Sequence, residues 1–315
     1  MPTKDRFSLS AWIEESVRDF AKSPENTLRD KDNEPAFEMP IVGFSSGVDP
    51  VYADLKGLIG PFFWTPLEIF SLTFPDLWIT ADQLTVIAWV LPMTRATKAD
   101  NRKEKAYASE RWYRARRFGE EFNTKLRIYL AARLNDAGYQ AVAPQASPLW
   151  AMKVSERYGI SSTWSERHAA YVSGLGTFGL CDGLITPVGK AMRCGSVVAR
   201  LSIPSTPRPY NDPHAYCLFF SQGGCGKCIG RCPVGAITEK GHDKVKCKEY
   251  LEKVQVTHAR ETYGLEAYGC GLCQTKVPCE SRIPSTKAKD EQAGEALLSS
   301  RKPSSPSGAS FPAAS

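Results

Sequence analysis

The sequence predicts a mixed α/β (α+β) body followed by a small C-terminal module built around cysteines. Two observations carry this. The first 180 residues hold no cysteine and alternate between apolar strand-like runs and amphipathic helical runs. Eight of the ten cysteines then fall between Cys217 and Cys279, among short Cys/Gly-rich loops. The texture changes near residue 210, dividing the chain into a body over 1–210, a cysteine module over 211–285 and a final stretch over 286–315. That last stretch becomes Ala/Lys/Glu-rich and then Ser/Pro-rich, a composition that predicts a disordered tail.

The elements follow in order. Ser8 caps a helix running to about residue 22, with Trp12, Val17 and Phe20 facing inward. Pro40–Phe44 forms a short strand ending in a Gly/Ser turn, and residues 50–80, rich in aromatics and prolines, pack irregularly around short helices such as 66–72. The unbroken apolar run from Leu84 reads as a buried strand. A charged stretch from Lys98 to Arg117 comes next. The clearest helix carries Phe118, Phe122, Leu126, Tyr129, Leu130 and Leu134 at helical spacing and stops at Gly138, where a further strand begins.

Bulk properties narrow the function. A hydrophobic content of 42% supports a sizeable core. A net charge of +6 permits a nucleic-acid partner without requiring one. No apolar run reaches the ~20 residues of a membrane span, and the N-terminus lacks the apolar core of a signal peptide. A reducing compartment would leave the thiols free for metal. A cytoplasmic protein without membrane contact is the expectation.

The cysteine spacing points to iron–sulfur chemistry. The first group is Cys217, Cys225, Cys228 and Cys232, and the second is Cys247, Cys270, Cys273 and Cys279. Cys228-x3-Cys232-Pro233 has the ending seen in two-cluster ferredoxins, where the cysteine before proline ligates the other cluster. Crossed ligation therefore assigns Cys217, Cys225, Cys228 and Cys279 to one [4Fe-4S] cluster and Cys232, Cys247, Cys270 and Cys273 to the other. The module is thus ferredoxin-like. The run departs from C-x2-C-x2-C-x3-C in one place: its first cysteine is missing, and Cys217 must loop in to replace it. A pair of four-cysteine zinc sites is the plain alternative. Cys181 and Cys194 stand outside both groups and read as small buried residues.

Gly174-Leu175-Gly176-Thr177-Phe178-Gly179 spells G-x-G-x-x-G, but the residues before it read as a helix capped by Ser165, and no acid follows at the right distance. A dinucleotide site needs both a preceding strand and that acid. The glycines imply instead a close approach of backbone to another segment or to a flat cofactor.

From Ser165 to Leu201, and on through the cysteine module, the chain resembles epoxyqueuosine reductase and, more distantly, the corrinoid reductive dehalogenases. Gly174-Leu175-Gly176 with Gly179 is similar to the family's AGLGWxG segment. Gly183–Pro187 is similar to its LLINP strand and Arg193–Val198 to its RLGxVLT strand. Lys246–Leu251 is similar to its RRCISYL, and Tyr268–Gln274 to its YGCDxCQ. The resemblance implies a reductase-like body that holds a base-off cobalamin beside two [4Fe-4S] clusters. It makes Gly174, Gly176, Gly179, Gly183, Arg193, Gly195 and Ser196 candidate cofactor contacts; packing glycines and a solvated arginine are the alternative. It also implies an external electron donor (ferredoxin, flavodoxin or a reductase) and a small-molecule or modified-nucleoside substrate, with tRNA as a candidate partner.

The family's Arg-Asp-Tyr-His motif corresponds to Arg111-Trp112-Tyr113-Arg114, so Trp112 stands where the family places its proton-donating aspartate. Tyr113, by motif position, and Tyr171, beside the glycine segment, are the candidate acids that remain; core packing is the alternative for each. His168, His214, His242 and His258 are candidate cofactor or cluster contacts. Arg111, Arg114, Arg116 and Arg117, interleaved with Trp112 and Tyr113, suit stacked bases and phosphates or a solvated helix face. Two functions are therefore expected to compete: a corrinoid- and cluster-dependent reductase, and a ferredoxin-type electron carrier without its own catalytic cofactor.

Overall fold

Strand β2 (Leu84–Pro92) is buried along its whole length, which is why its sequence is unbroken apolar rather than alternating. It pairs with β1 (Ile41–Ser46) on one side and β8 (Met192–Arg200) on the other. A two-residue strand, β3 (Ala141–Val142), completes a four-stranded sheet ordered β1-β2-β8-β3, with every pairing antiparallel. The computed structural model describes residues 6–285, and those through Ile283 form one compact unit. The tail expected over 286–315 lies outside the described residues.

The two faces of β2 feed two cores. Ile87, Trp89 and Leu91 pack with α1 (Arg6–Ala21) and α5 (Glu110–Asp136), against Ile13, Val17, Phe122, Leu126 and Leu130. Leu84, Val86, Ala88 and Val90 pack with α2 (Val51–Ile59), α3 (Pro66–Thr73) and α6 (Glu166–Val172), against Tyr52, Ile69, Phe70 and Tyr171. The period-2 geometry of a strand makes this partition automatic.

Helix α5 begins well before the apolar periodicity does. Ser109 caps it, its hydroxyl accepting from the Trp112 N–H at 3.3 Å. The charged first turns are held by pairs four residues apart, Arg114–Glu110 at 2.8 Å and Arg117–Glu121 at 3.0 Å. Before it, α4 (Arg95–Lys103) takes up part of the charged stretch. Helix α3 carries a reciprocal cap between Thr65 and Glu68. Helix α2 lies in the aromatic stretch where only irregular packing and short helices were expected. Gly138, at φ +88°, stops α5 as its position predicted.

Short elements connect the sheet to the cysteines: the β4–β5 hairpin (Met152–Ser155, Gly159–Ser162) and the small β6–β7 pair (Thr177–Phe178, Leu184–Ile185). Helices α7 (Leu218–Gln222), α8 (Lys227–Arg231), α9 (Lys244–Tyr250) and α10 (Val256–Tyr263) follow, with the β9–β10 pair (Ile237–Thr238, Gly241–His242) between α8 and α9. The segment after Cys279 returns to the body. The Lys190 N–H donates to the Cys279 carbonyl at 2.8 Å and the Ala191 N–H to the Glu280 carbonyl at 3.1 Å. The buried Glu280 carboxylate takes both Arg102 Nε and Nη2. Among the described residues no helix is long and apolar enough to cross a membrane.

Two glycines test this packing. Gly195 lies opposite Trp89 in the β2–β8 register, and a Cβ there would overlap the indole. Gly195→Ala is expected to lower the urea-unfolding free energy by about 1–3 kcal/mol. Gly57, exposed within α2, has open space around it. Gly57→Ala is expected to raise stability by about 0.5–1 kcal/mol.

Candidate functional site

The cysteines converge from several elements. Cys217 starts α7, Cys228 lies within α8, Cys232 ends it, and Cys247 lies on α9. Cys270 precedes a short helical turn (Leu272–Gln274) and Cys273 lies within it. Cys217, Cys228 and Cys279 are buried in one apolar nest walled by Leu180, Ile185, Ile237 and Val277. Cys232, Cys247, Cys270 and Cys273 border a single hollow of about 200 Å³. Arg231 ties these loops together, its guanidinium donating to the carbonyls of Leu272, Thr275, Asn101 and Glu104 at 2.7–3.2 Å. Burial pushes the Cys270 thiol up to about 12. A thiol so disfavoured as an anion needs a cation to become a ligand. No three His, Cys, Asp or Glu side chains among the described residues converge on a single-ion site.

The hollow beside the second set of cysteines is one of three that adjoin. The others measure about 260 and 360 Å³, and Arg167 borders all three. Of the three, the hollow of about 360 Å³ reaches the size of small-molecule sites, about 300–1,000 Å³. Three buried side-chain polar atoms lack a partner among the described residues: Trp112 Nε1, Arg116 Nη1 and Gln145 Oε1. All three residues border these hollows. An unpaired buried polar atom costs about 1–3 kcal/mol, and a bound ligand is an ordinary way of satisfying it.

Charge at the hollow is arranged around Arg127, which is 1% exposed. Its Nε donates to Glu166 Oε1 at 3.0 Å, Nη1 to Glu120 Oε1 at 3.2 Å and Nη2 to the Cys194 carbonyl at 3.1 Å. Arg193 Nε donates to Glu120 Oε2 at 2.8 Å, and the Ser196 hydroxyl donates to Glu166. Burial pushes the Glu166 carboxyl up to about 6 against the pull of Arg127. Burial also acts to raise Glu120, but Arg193, Arg127 and Arg116 outweigh it and hold that carboxyl at about 2. Burial, with Arg193 adding to it, brings the Arg116 guanidinium down to about 9, still charged at neutral pH.

The residues singled out from sequence fall into different places. Gly183 and Arg193 border the hollows. Gly174, Gly176, Gly179 and Gly195 do not form an open cradle. The space a Cβ would fill is taken by the Pro207 carbonyl, the Ile185 carbonyl, the Ile185 side chain and the Trp89 ring, respectively. Ser196 is engaged by Glu166 and by Trp164 Nε1. Tyr113 lies in the first core, donating to Gln255, and Tyr171 stacks on Tyr210 in the second. Burial pushes both phenols up, the wrong direction for a general acid at neutral pH. Trp112 is 1% exposed, and its indole fills the space above Gly271, between Cys270 and Cys273.

The basic run is held within the protein. Arg111 pairs with Glu34 and Asp100, Arg114 with Glu110, and Arg117 with Glu121, while Arg116 lies against Gly269 and donates to the Tyr268 carbonyl at 3.2 Å. His168 is neutral, brought down to about 3 by burial and bonded to Ser165. Burial opposes protonation of His242, but Asp182 and Cys247 push it up to about 10. His214 approaches the Phe178 carbonyl, and His258 stacks on Tyr107. Glu120, Gln145, Glu166 and Arg167 carry no spacing signal and were not foreseen.

No family model matches the chain. It is similar to epoxyqueuosine reductase from Bacillus cereus, 30% identical over 159 residues, covering 49% of this chain and 35% of that protein. Epoxyqueuosine reductase from Staphylococcus aureus is 32% identical over 119 residues, covering 36% and 29%. The chain therefore matches about a third of the length of these curated relatives. Among solved structures, an epoxyqueuosine reductase with an epoxyqueuosine-modified tRNA stem loop aligns at TM-score 0.49 and 15% identity, covering 90% of this chain and 68% of that one. A catabolic reductive dehalogenase aligns at TM-score 0.46 and 14% identity, covering 94% and 41%. The chain's curated homologues thus carry the name that its motifs suggested.

The Glu120 network gives a pH signature. A carboxyl held below its unfolded value contributes stability that is present above about pH 4.5 and lost as the pH falls toward 2. Wild-type stability is expected to fall between pH 6 and pH 3 by about 1–2 kcal/mol more than that of Glu120→Gln. Parallel pH dependences in urea unfolding would remove this role.

Proposed function

We propose that the chain is an iron–sulfur oxidoreductase related to epoxyqueuosine reductase, in which two [4Fe-4S] clusters pass electrons to a ligand held in the adjoining hollows. One observation carries the reading: Cys232, Cys247, Cys270 and Cys273 border the same hollow as Trp112 and Arg116, whose buried donors lack partners. An all-thiolate donor set suits iron–sulfur clusters. Cys217, Cys225, Cys228 and Cys279 would hold one cluster, and Cys232, Cys247, Cys270 and Cys273 the other. When bound, the clusters supply one-electron transfer.

The chain's own residues do the rest. Trp112, Met93 and Met192 give the inner hollow part of its apolar lining. Arg116, Arg167 and Arg193 offset negative charge that arrives there. Glu166, at about 6 and bordering the second hollow, can hold a proton on its carboxyl near neutral pH. Tyr113 and Tyr171, the candidate acids by motif position and by proximity, lie in the two cores and do not border these hollows. An electron donor such as a ferredoxin, flavodoxin or reductase would supply the clusters.

A corrinoid is the ligand that the resemblance suggests, and the curated relatives make a modified nucleoside in tRNA a candidate substrate. Of the seven residues proposed to hold the corrinoid, only Gly183 and Arg193 border the hollows. The fit is thus poor, and no chemical step is assigned to that group. Trp112 in the acid's position favours the second reading, an electron-transfer protein without its own catalytic cofactor.

Anaerobic purification from cells supplied with iron and cobalamin, followed by iron, sulfide and cobalt analysis, separates these readings. About eight irons per chain, the content of two cubes, with one cobalt would support a corrinoid reductase. The same iron without cobalt, even after cobalamin is added, would leave the electron carrier. Zinc in place of iron would overturn both.

A further inference from the structure

The buried nest holds four thiols, as spacing requires for one cluster, but one of the four is not the cysteine that spacing gives. Cys181, two residues beyond the glycine segment, is buried in the same nest as Cys217, Cys228 and Cys279. Cys273, partly buried, packs against the same nest. Cys225 is outside this nest, partly exposed in a loop between the exposed Gly224 and Gly226.

Lys190 gives Cys181 a second, independent mark. It is 2% exposed, and its Nζ donates to Cys181 Sγ at 3.1 Å. Among the described residues no carboxylate pairs with it. The side-chain acceptor that this buried ammonium meets is the sulfur of Cys181. A thiolate is the form in which cysteine binds iron. The run of cysteines around Cys228 lacks one member of its usual spacing, so the first cluster must draw a thiol from elsewhere in any case.

We propose that Cys181 is a ligand of the first iron–sulfur cluster, completing a buried set with Cys217, Cys228 and Cys279, and that Cys225 is not a ligand. The β6–β7 turn of the body then supplies one of the four thiolates. Lys190 is a positioning residue, donating to the sulfur of that ligand. The inference rests on the proposed cluster content and alters only which thiols hold one cluster.

The test compares Cys181→Ala and Cys225→Ala after anaerobic reconstitution with iron and sulfide. Cys225→Ala is expected to keep about eight irons, and Cys181→Ala to fall to about four. A second measurement needs no variant. In the loaded wild-type protein, iodoacetamide followed by peptide mass spectrometry should modify Cys225 while leaving Cys181 untouched. Loss of about four irons from Cys225→Ala but not from Cys181→Ala overturns the assignment. So does a Cys225 that is protected in the loaded protein and reactive after iron is removed. A wild-type protein that takes up no iron overturns the cluster reading itself, and the ligand assignment with it.

Discussion

The arrangement around the hollows depends on how a single buried charge is compensated. Arg127 projects from the long helix α5 into a region with almost no water. An unpaired guanidinium there would be far too costly, so its donors fix their acceptors in place. Glu166 on α6, Glu120 on α5 itself and the Cys194 carbonyl on β8 are those acceptors. Trp89 adds a parallel link, donating to Asn123, which in turn donates to the Cys194 carbonyl. Helix, sheet and second layer are thus locked at the edge of the hollows, and the position of Arg193 and Glu166 follows from that lock.

What the sequence disclosed and what it concealed have distinct physical causes. The strand from Leu84 was legible because burial on both faces leaves an unbroken apolar run. The middle of α5 was legible because one face meets the core at helical spacing. Its first turns were hidden because charge pairs, not apolar contacts, hold them. The eight spaced cysteines were legible as a pattern because their local intervals match those of cluster-binding loops. Cys181 is buried, as its sequence context suggested, but its thiol neighbours come from distant segments, and no interval records that. The basic run around Trp112 left two readings open, a nucleic-acid patch and a solvated helix face; Arg114 and Arg117 pair with Glu110 and Glu121 on the same helix, and Arg111 pairs with Glu34 and Asp100 from earlier segments. Arg167 and Gln145 give no local signal of any kind.

Trp112 and Gly271 need to be considered together. In the motifs that the chain resembles, both positions carry an aspartate. Here one has become a large indole and the other a glycine whose missing Cβ leaves room for it. The two departures are therefore sterically coupled. The space beside Cys270 and Cys273 is occupied by a ring with one N–H donor, where a carboxyl could have given up a proton. This leaves that point with a hydrogen-bond donor and without an ionisable proton source.

The segment from Cys279 to Ser281 crosses back onto the body, where Glu280 engages Arg102 and the backbone before β8. Gly189 lets it approach so closely that a side chain there would collide with it. For a chain emerging from the ribosome this reverses the usual order. The sheet, the long helix and most thiols are made first, yet the turn at Gly189 waits for residues synthesised about ninety positions later. Until the clasp arrives, the acidic side chain that Arg102 requires is absent and the nest around Cys228 stands open on one side. The last stretch of the compact unit to be made is therefore the one that closes this side of the structure.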